Sequence, residues 1–321
     1  MRTLIACLLS VAFLSAPLAR ADTSYPREPI ELMVGYTAGG SVDLTARVLA
    51  ERLSSRLGVP IMVDNRPGAT GNIAADVLVK SPADGYTLYL ATSTNAASVN
   101  LFKNLGYDPV RDFAPITRLV EAQTTLVVRK DLAVKNVQEL MQLAKQAPDR
   151  VSYGSTGNGS TPHLCAAMLG NAVGAQMLHV PYKGGPQVMA DLVGGRIDMT
   201  FSNPVSVIGQ VKTGQVRALA VLGSSRLMEL PEVPTFAEAG VADCGVDSWY
   251  GIVAPAGTPA PILERLSKEI RAVMSMPEVQ ETLAKQGLKV VLDTPAEFAE
   301  KMKRDVAKYK RVLEIAKVEP N

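Results

Sequence analysis

Histidine, cysteine and tryptophan are scarce in this chain, with two, three and one respectively among 321 residues. Each scarcity excludes something. Two histidines far apart, with no His-Glu-x-x-His and no Cys-x-x-Cys, leave no recognisable metal-ligand spacing. No Gly-x-Ser-x-Gly elbow, no Gly-x4-Gly-Lys-Ser/Thr phosphate loop and no tight Gly-x-Gly-x-x-Gly fingerprint occurs, so those chemistries lack their signatures. No nucleophile stands at a recognised spacing from a base. The sequence therefore offers no catalytic residues, no metal site and no cofactor site. A surplus of charge is missing as well. Lys+Arg 33 against Asp+Glu 31 gives neither the basic excess nor the stripe of a nucleic-acid binder.

Long apolar runs are absent apart from the N-terminus, and even that one is short. Arg2 precedes the apolar stretch Leu4 to Leu14, and Ala19-Arg20-Ala21 follows as a small-residue cleavage site. This is the pattern of a secretory signal over residues 1–21. The run is too short to span a bilayer. Leu4-Ile5-Ala6-Cys7 is not a lipoprotein box, because the apolar run mostly follows that cysteine instead of preceding it. A periplasmic mature chain starting near Asp22, without membrane insertion, is expected. Removing Arg2 and Arg20 leaves 31 basic and 31 acidic residues. Of the cysteines left, Cys165 and Cys244 could pair in an oxidising compartment. Cys165 lies before Ala166-Ala167-Met168-Leu169 and reads equally well as a buried thiol.

Short apolar runs alternate with helical patterns. Strands are expected at Ile30–Tyr36, Ile61–Asp64, Thr87–Ala91, Ile116–Val120 and Thr125–Arg129, then at Val151–Tyr153, Met177–Val180, Ile197–Phe201, Val216–Val221 and Trp249–Val253. Between them, Val42, Ala46, Leu49 and Leu53 share one face of a helix that Gly58 stops. Thr161-Pro162, Asn203-Pro204 and Thr258-Pro259 read as an N-cap followed by proline at the first helical position. Thr294 and Glu297 form a capping box. The rhythm predicts an α/β protein with mainly parallel sheets flanked by helices. Strand following strand near Leu119–Val127, and the segment Val246–Gly257 around Trp249, suggest two crossings between lobes. One lobe would then comprise 22–123 and 249–321, the other 124–248. The Lys- and Glu-rich last helix, Ala296 to about Ala316, is expected to pack on the first lobe with its mixed charges in solvent.

Three glycine turns each follow a strand and open a helix. In the first, Tyr36-Thr37-Ala38-Gly39-Gly40-Ser41, the glycines permit positive φ and close backbone approach. Ser41 is placed as the N-cap, and Asp43 lies in the first turn, where negative charge suits the dipole. The second is Ser155-Thr156-Gly157-Asn158-Gly159-Ser160-Thr161, with His163 beside it. The third is Tyr182-Lys183-Gly184. Each could be a plain connection. Facing one another across two lobes, they would line a cleft with N–H and hydroxyl donors suited to a small anion. Thr92, Thr94 and Asn95 form a further polar run after a strand, either a helix cap or a set of ligand donors. Lys183 reads as a loop lysine or a direct acid contact. His163 suits a packing or hydrogen-bonding role, and His179 a satisfied strand position.

The residues also resemble a known family. Tyr36 to Asp43 with Ala46-Arg47 is similar to the first-loop signature of the Bug family, the substrate-binding proteins of tripartite tricarboxylate transporters. Val63 to Ala69 with Gly71-Asn72, Ser81 to Leu88, Gly157 to Ser160 with His163-Leu164, Val180 to Gly184, and Trp249-Tyr250-Gly251 with Ala254 to Pro259 resemble its later segments. The likeness spans nearly the whole mature chain. It implies a type II periplasmic binding protein: two lobes, two crossover strands and a cleft that takes a small carboxylate without metal or cofactor, partly through bridging water. The ligand residues it implies are Tyr36 to Ser41, Asp43, Ser155 to Thr161, His163, Tyr182 to Gly184 and Asn203, a segment-by-segment transfer to which the polar run Thr92, Thr94 and Asn95 is added. Gly35-Tyr36-Thr37 stands where many members carry an aromatic or proline-rich stretch, which would reshape the distal wall. The implied partners are an organic acid, acidic amino acid or aromatic acid, and membrane permease subunits. A monomer is expected. A sensor kinase receiving the closed form, and an exported hydrolase, are the alternatives.

Overall fold

The computed structural model describes residues 25–147, 150–242 and 245–320. The signal segment and Cys244 lie outside them. The chain opens with β1 (Ile30–Val34), α1 (Ser41–Leu57), β2 (Ile61–Asn65), α2 (Asn72–Lys80), β3 (Thr87–Thr92), α3 (Ser93–Leu101) and β4 (Phe113–Ala122). It continues with β5 (Thr124–Arg129), α4 (Val137–Gln146), β6 (Ser152–Ser155), α5 (Thr161–Val173), β7 (Leu178–Pro181), α6 (Gly185–Val193), β8 (Met199–Ser202), α7 (Pro204–Lys212) and β9 (Val216–Leu222). The remainder is β10 (Trp249–Pro255), α8 (Ala260–Met274), α9 (Pro277–Ala284), β11 (Leu288–Val290) and α10 (Pro295–Ala316).

Two sheets result, a six-stranded one in the order β11-β4-β10-β3-β1-β2 and a five-stranded one in the order β7-β6-β8-β5-β9. They are mixed, not mainly parallel. β1 runs parallel to β2 and β3, and β6 to β7 and β8. The strands at or beside the passages between sheets run the other way: β10 is antiparallel to β3 and β4, and β5 to β8 and β9. A strand arriving from the other sheet enters from the end that local βαβ strands leave, so its direction is reversed. β11 adds an antiparallel edge to β4.

The central strands are apolar on both faces, as strands covered by helices on both sides must be. Their period of two divides the packing. Leu32, Val34, Leu88 and Leu90 meet Leu49 and Leu53 of α1 and Leu266 of α8. Met33, Tyr89 and Ala91 meet Ala74 and Leu78 of α2 and Phe298 of α10. Each fully buried aliphatic side chain of this kind contributes about 1.5–3 kcal/mol. α1 ends as expected, with Gly58 left-handed at φ 74° and its N–H on Ser54 O.

The helix starts differ in detail. Gly40, not Ser41, is the N-cap of α1. Ser160 and Pro259 cap α5 and α8, one residue away from the expected Thr161 and Thr258. The Thr294–Glu297 capping box is present, with Glu297 N–H donating to Thr294 Oγ1 and Thr294 N–H to Glu297 Oε2. α10 does not stay on one lobe. Phe298 and Met302 pack with the first sheet, whereas Tyr309, Val312, Leu313 and Ala316 join the core of the second. Cys165 is buried and disulfide-bonded, which settles it against a free thiol; its partner lies outside the described residues.

Candidate functional site

The carboxyl ends of β1, β3, β6, β7 and β8 lead through short loops, or directly, into α1, α3, α5, α6 and α7. All five helix N-termini reach one cavity between the sheets, through Gly40–Val42, Thr92–Thr94, Ser160–Pro162, Gly185 and Asn203. Each N-terminus carries partial positive charge and unpaired N–H groups. The cavity measures about 80 Å³, room for about three waters at roughly 30 Å³ each, or for one small organic molecule. Among the described residues, no charged side chain lines it. Its polar wall is made of hydroxyls and the Asn203 amide, and its apolar wall includes Val42, Val188 and Phe201. Thr37 Oγ1 is enclosed there without a hydrogen-bond partner. Such a wall offers neutral donors to an acceptor-rich ligand, and among the described residues no histidine, carboxylate, lysine or cysteine lines it to activate its hydroxyls.

Of the expected residues, Tyr36, Thr37, Gly40, Ser41, Thr92, Thr94, Thr156, Ser160, Thr161 and Asn203 line this cavity. Gly39 takes positive φ (84°) while Gly40 does not. Ala38 and Gly39 stand outside the wall, and Asp43 stands behind it. The Asp43 carboxylate accepts from Gly39 N–H (2.9 Å), Arg47 Nε (3.0 Å) and Asn65 Nδ2 (3.0 Å). Burial works to raise its pKa, but these bonds outweigh it and hold the group below the ordinary carboxylate value. Asn65 also donates to Tyr36 O (3.1 Å), so Asp43 and Asn65 together fix the first loop. Asn95 braces the start of α3, accepting Thr92 N–H and donating to Tyr107 OH.

The second loop is braced in the same way. His163 Nδ1 accepts Gly159 N–H (2.9 Å), and Ser155 Oγ lies 2.6 Å from His179 Nε2. The two imidazoles stack with centroids 4.1 Å apart and planes 5° apart, and Tyr153 stacks on His179. Both rings are held neutral. Burial, with His179 nearby, lowers His163 to about 3, and burial lowers His179 to about 4. Gly157, Asn158, Tyr182 and Lys183 face a neighbouring cavity beside Thr70, which Thr156 shares with the first. Gly184 presses against Thr37 of the opposite loop.

The expected set left out Ser93, Thr200, Ser202, Ser206, Ser248 and Tyr250, all of which line the cavity. Tyr250 had a signal, since it lies in the Trp249-Tyr250-Gly251 segment. Thr200 and Ser202 are polar residues at the end of a strand, the same signal that singled out Thr92.

Comparison with known proteins bears on this arrangement. Protein BugT of Bordetella pertussis is 35% identical over 293 residues, covering 91% of this chain and 89% of BugT. The structure of R. palustris Rpa4515 with adipate superposes with a TM-score of 0.88 at 34% identity, covering 92% of this chain and 100% of that one. MatC from Rhodopseudomonas palustris with bound malate gives 0.86 at 28% identity, over 90% of this chain and 100% of that one. The pattern of the tripartite tricarboxylate transporter family receptor, TctC, matches residues 45–318. By that match and by its likeness to BugT, the chain belongs to the TctC family, and it is a two-lobed, Bug-type periplasmic solute-binding protein and not an enzyme.

Proposed function

We propose that the protein captures a small carboxylate in the interlobe cavity and presents it to the permease of a tripartite tricarboxylate-type transporter. The observation that carries this reading is the meeting of five helix N-termini around a wall of hydroxyls with no charged side chain. Dipole ends and neutral donors favour an anion without needing an arginine. Two neighbouring structures hold such acids, adipate and malate. The ligand contacts we assign are Tyr36, Thr37, Gly40, Ser41, Thr92, Thr94, Thr156, Ser160 and Thr161. Asp43, Asn95, Ser155, Gly159 and His163 hold the loops that carry them. The lobes we assign are 22–123 with 249–321, and 124–248, behind a signal segment over 1–21 that directs export to the periplasm.

A thermal-shift panel of mono-, di- and tricarboxylates and acidic amino acids, adipate and malate included, tests this. An acid at 100 times its Kd stabilises the protein by about 2.7 kcal/mol, a shift of several degrees in a chain of this size. No shift with any acid overturns the reading.

A further inference from the structure

Asn203 is the N-cap of α7, yet its side chain makes no capping bond to its own helix. It reaches across the cleft instead. Asn203 Nδ2 donates to Ser41 Oγ (2.7 Å) and to Tyr250 OH, and Ser41 Oγ and Tyr250 OH lie 2.8 Å apart. The three polar groups form a closed ring, with Ser41 and Tyr250 from the first lobe and Asn203 from the second. Beside the ring, Pro204 abuts Gly287 of the first lobe. All three ring members also line the ligand cavity.

A count of protons fixes what the ring can do. Three contacts need three protons. The amide supplies two and the hydroxyls two more, so one is left over. The opposite amide orientation leaves only the two hydroxyl protons for three contacts, and one contact would be a bare oxygen–oxygen approach. Whichever of Ser41 and Tyr250 donates to the other, the remaining hydroxyl keeps a free proton. Ser248 bonds Tyr250 as well, adding one proton and one contact, so the surplus stays at one. The ring therefore keeps one surplus hydroxyl donor, and its strong acceptor, Asn203 Oδ1, takes no proton from Ser41 or Tyr250.

We propose that Ser41, Asn203 and Tyr250 form a ligand-coupled latch, which holds the lobes together and donates a hydrogen bond through its surplus hydroxyl to a carboxylate oxygen of the bound acid. Asn203 is the positioning residue. The latch deepens the carboxylate reading and rests on it: closing the lobes and recognising an acceptor become one event.

The test is isothermal titration of wild type, Asn203→Ala and Asn203→Asp with the acids of the panel above, adipate and malate included. Removing two interlobe hydrogen bonds in Asn203→Ala raises Kd roughly 5- to 150-fold. The near-isosteric Asn203→Asp should be worse than Ala, because its carboxylate accepts both hydroxyl protons and puts a negative charge against the ligand. A residue that only fills space gives the opposite order. Should Asn203→Asp fail to fold, a Ser41→Ala, Asn203→Ala double-mutant cycle replaces it, and the double variant should bind no worse than the weaker single one. Wild type that binds no acid overturns the carboxylate reading and the coupling together. Wild type that binds, with Asn203→Asp equal to it or milder than Ala, or with fully additive losses in the cycle, overturns the latch alone.

Discussion

Gly184 gives a clean way to separate closure from folding. Its backbone is extended, at φ −179° and ψ 165°, which any residue adopts, so alanine strains nothing within its own lobe. The added Cβ would overlap Thr37 Oγ1 and lie 3.1 Å from Thr37 Cβ and 3.3 Å from Thr37 N. The hydroxyl can rotate away, but the backbone nitrogen cannot. The clash exists only while the two lobes meet. Overpacking of this kind costs about 1–3 kcal/mol, which lowers the closed-to-open ratio about 5- to 150-fold. If the acid is held only by the closed form and the unliganded protein is mostly open, its apparent Kd rises by the same factor. Titration calorimetry reads the affinity, and small-angle scattering reads the wider envelope of the opened variant. The melting temperature without ligand should move by no more than about 2 °C, since the open form escapes the clash. Unchanged affinity for an acid that binds wild type would refute the claim that these loops must meet for the site to form.

Two further outcomes concern the groups that hold the loops. Asp43→Asn removes charge-assisted bonds to Gly39 and Arg47 and should lower stability by about 1.5–3 kcal/mol at pH 7, measured by denaturant unfolding. Because its folded pKa is depressed, its contribution is full above the unfolded value of about 3.9 and fades as pH falls through the folded value. His163 and His179, lowered to about 3 and about 4, bind protons more readily in the unfolded chain, near 6.5. Their burial therefore leaves stability intact above that pH and costs up to about 1.4 kcal/mol per pH unit for each ring as pH falls towards the folded values. A His163→Gln, His179→Gln double variant should flatten the melting-temperature profile between pH 6 and 4; a slope equal to wild type would show that other groups carry it.

What the sequence made legible was local. The apolar run of β1, the Gly58 stop, the Thr294–Glu297 box and the turns after β1 and β6 are each contained within a few residues, and each stands where periodicity and capping chemistry put it. What stayed hidden was set by distant pairing. β11 is a three-residue edge strand, too short for a period to show. The antiparallel character of β10 follows from the end at which the chain re-enters the first sheet, and no window of sequence records that. Ser41 reads as an N-cap from its neighbours alone, but Tyr250, 209 residues away, takes its hydroxyl and leaves the cap to Gly40. The histidines are separated by α5, and only the parallel register that sets Tyr153 opposite His179 brings them into one stack.

On the proposed carboxylate reading, the same distance explains how the site binds an anion with no cation in its wall. A buried arginine would have to be stripped of water whenever the cleft closed unloaded, at a cost of several kcal/mol. Neutral hydroxyls and helix ends carry no such penalty, and each N-terminus offers about 0.3–1 kcal/mol, or up to about 2 when partly buried. Five together approach the 4 kcal/mol that separates millimolar from micromolar binding. No single lobe provides all five: α1 and α3 come from the first, α5, α6 and α7 from the second. An acid gains the full set only by touching both, so affinity is inseparable from closure. That is why one methyl group at Gly184, outside the cavity wall, should act on binding as strongly as a change within it.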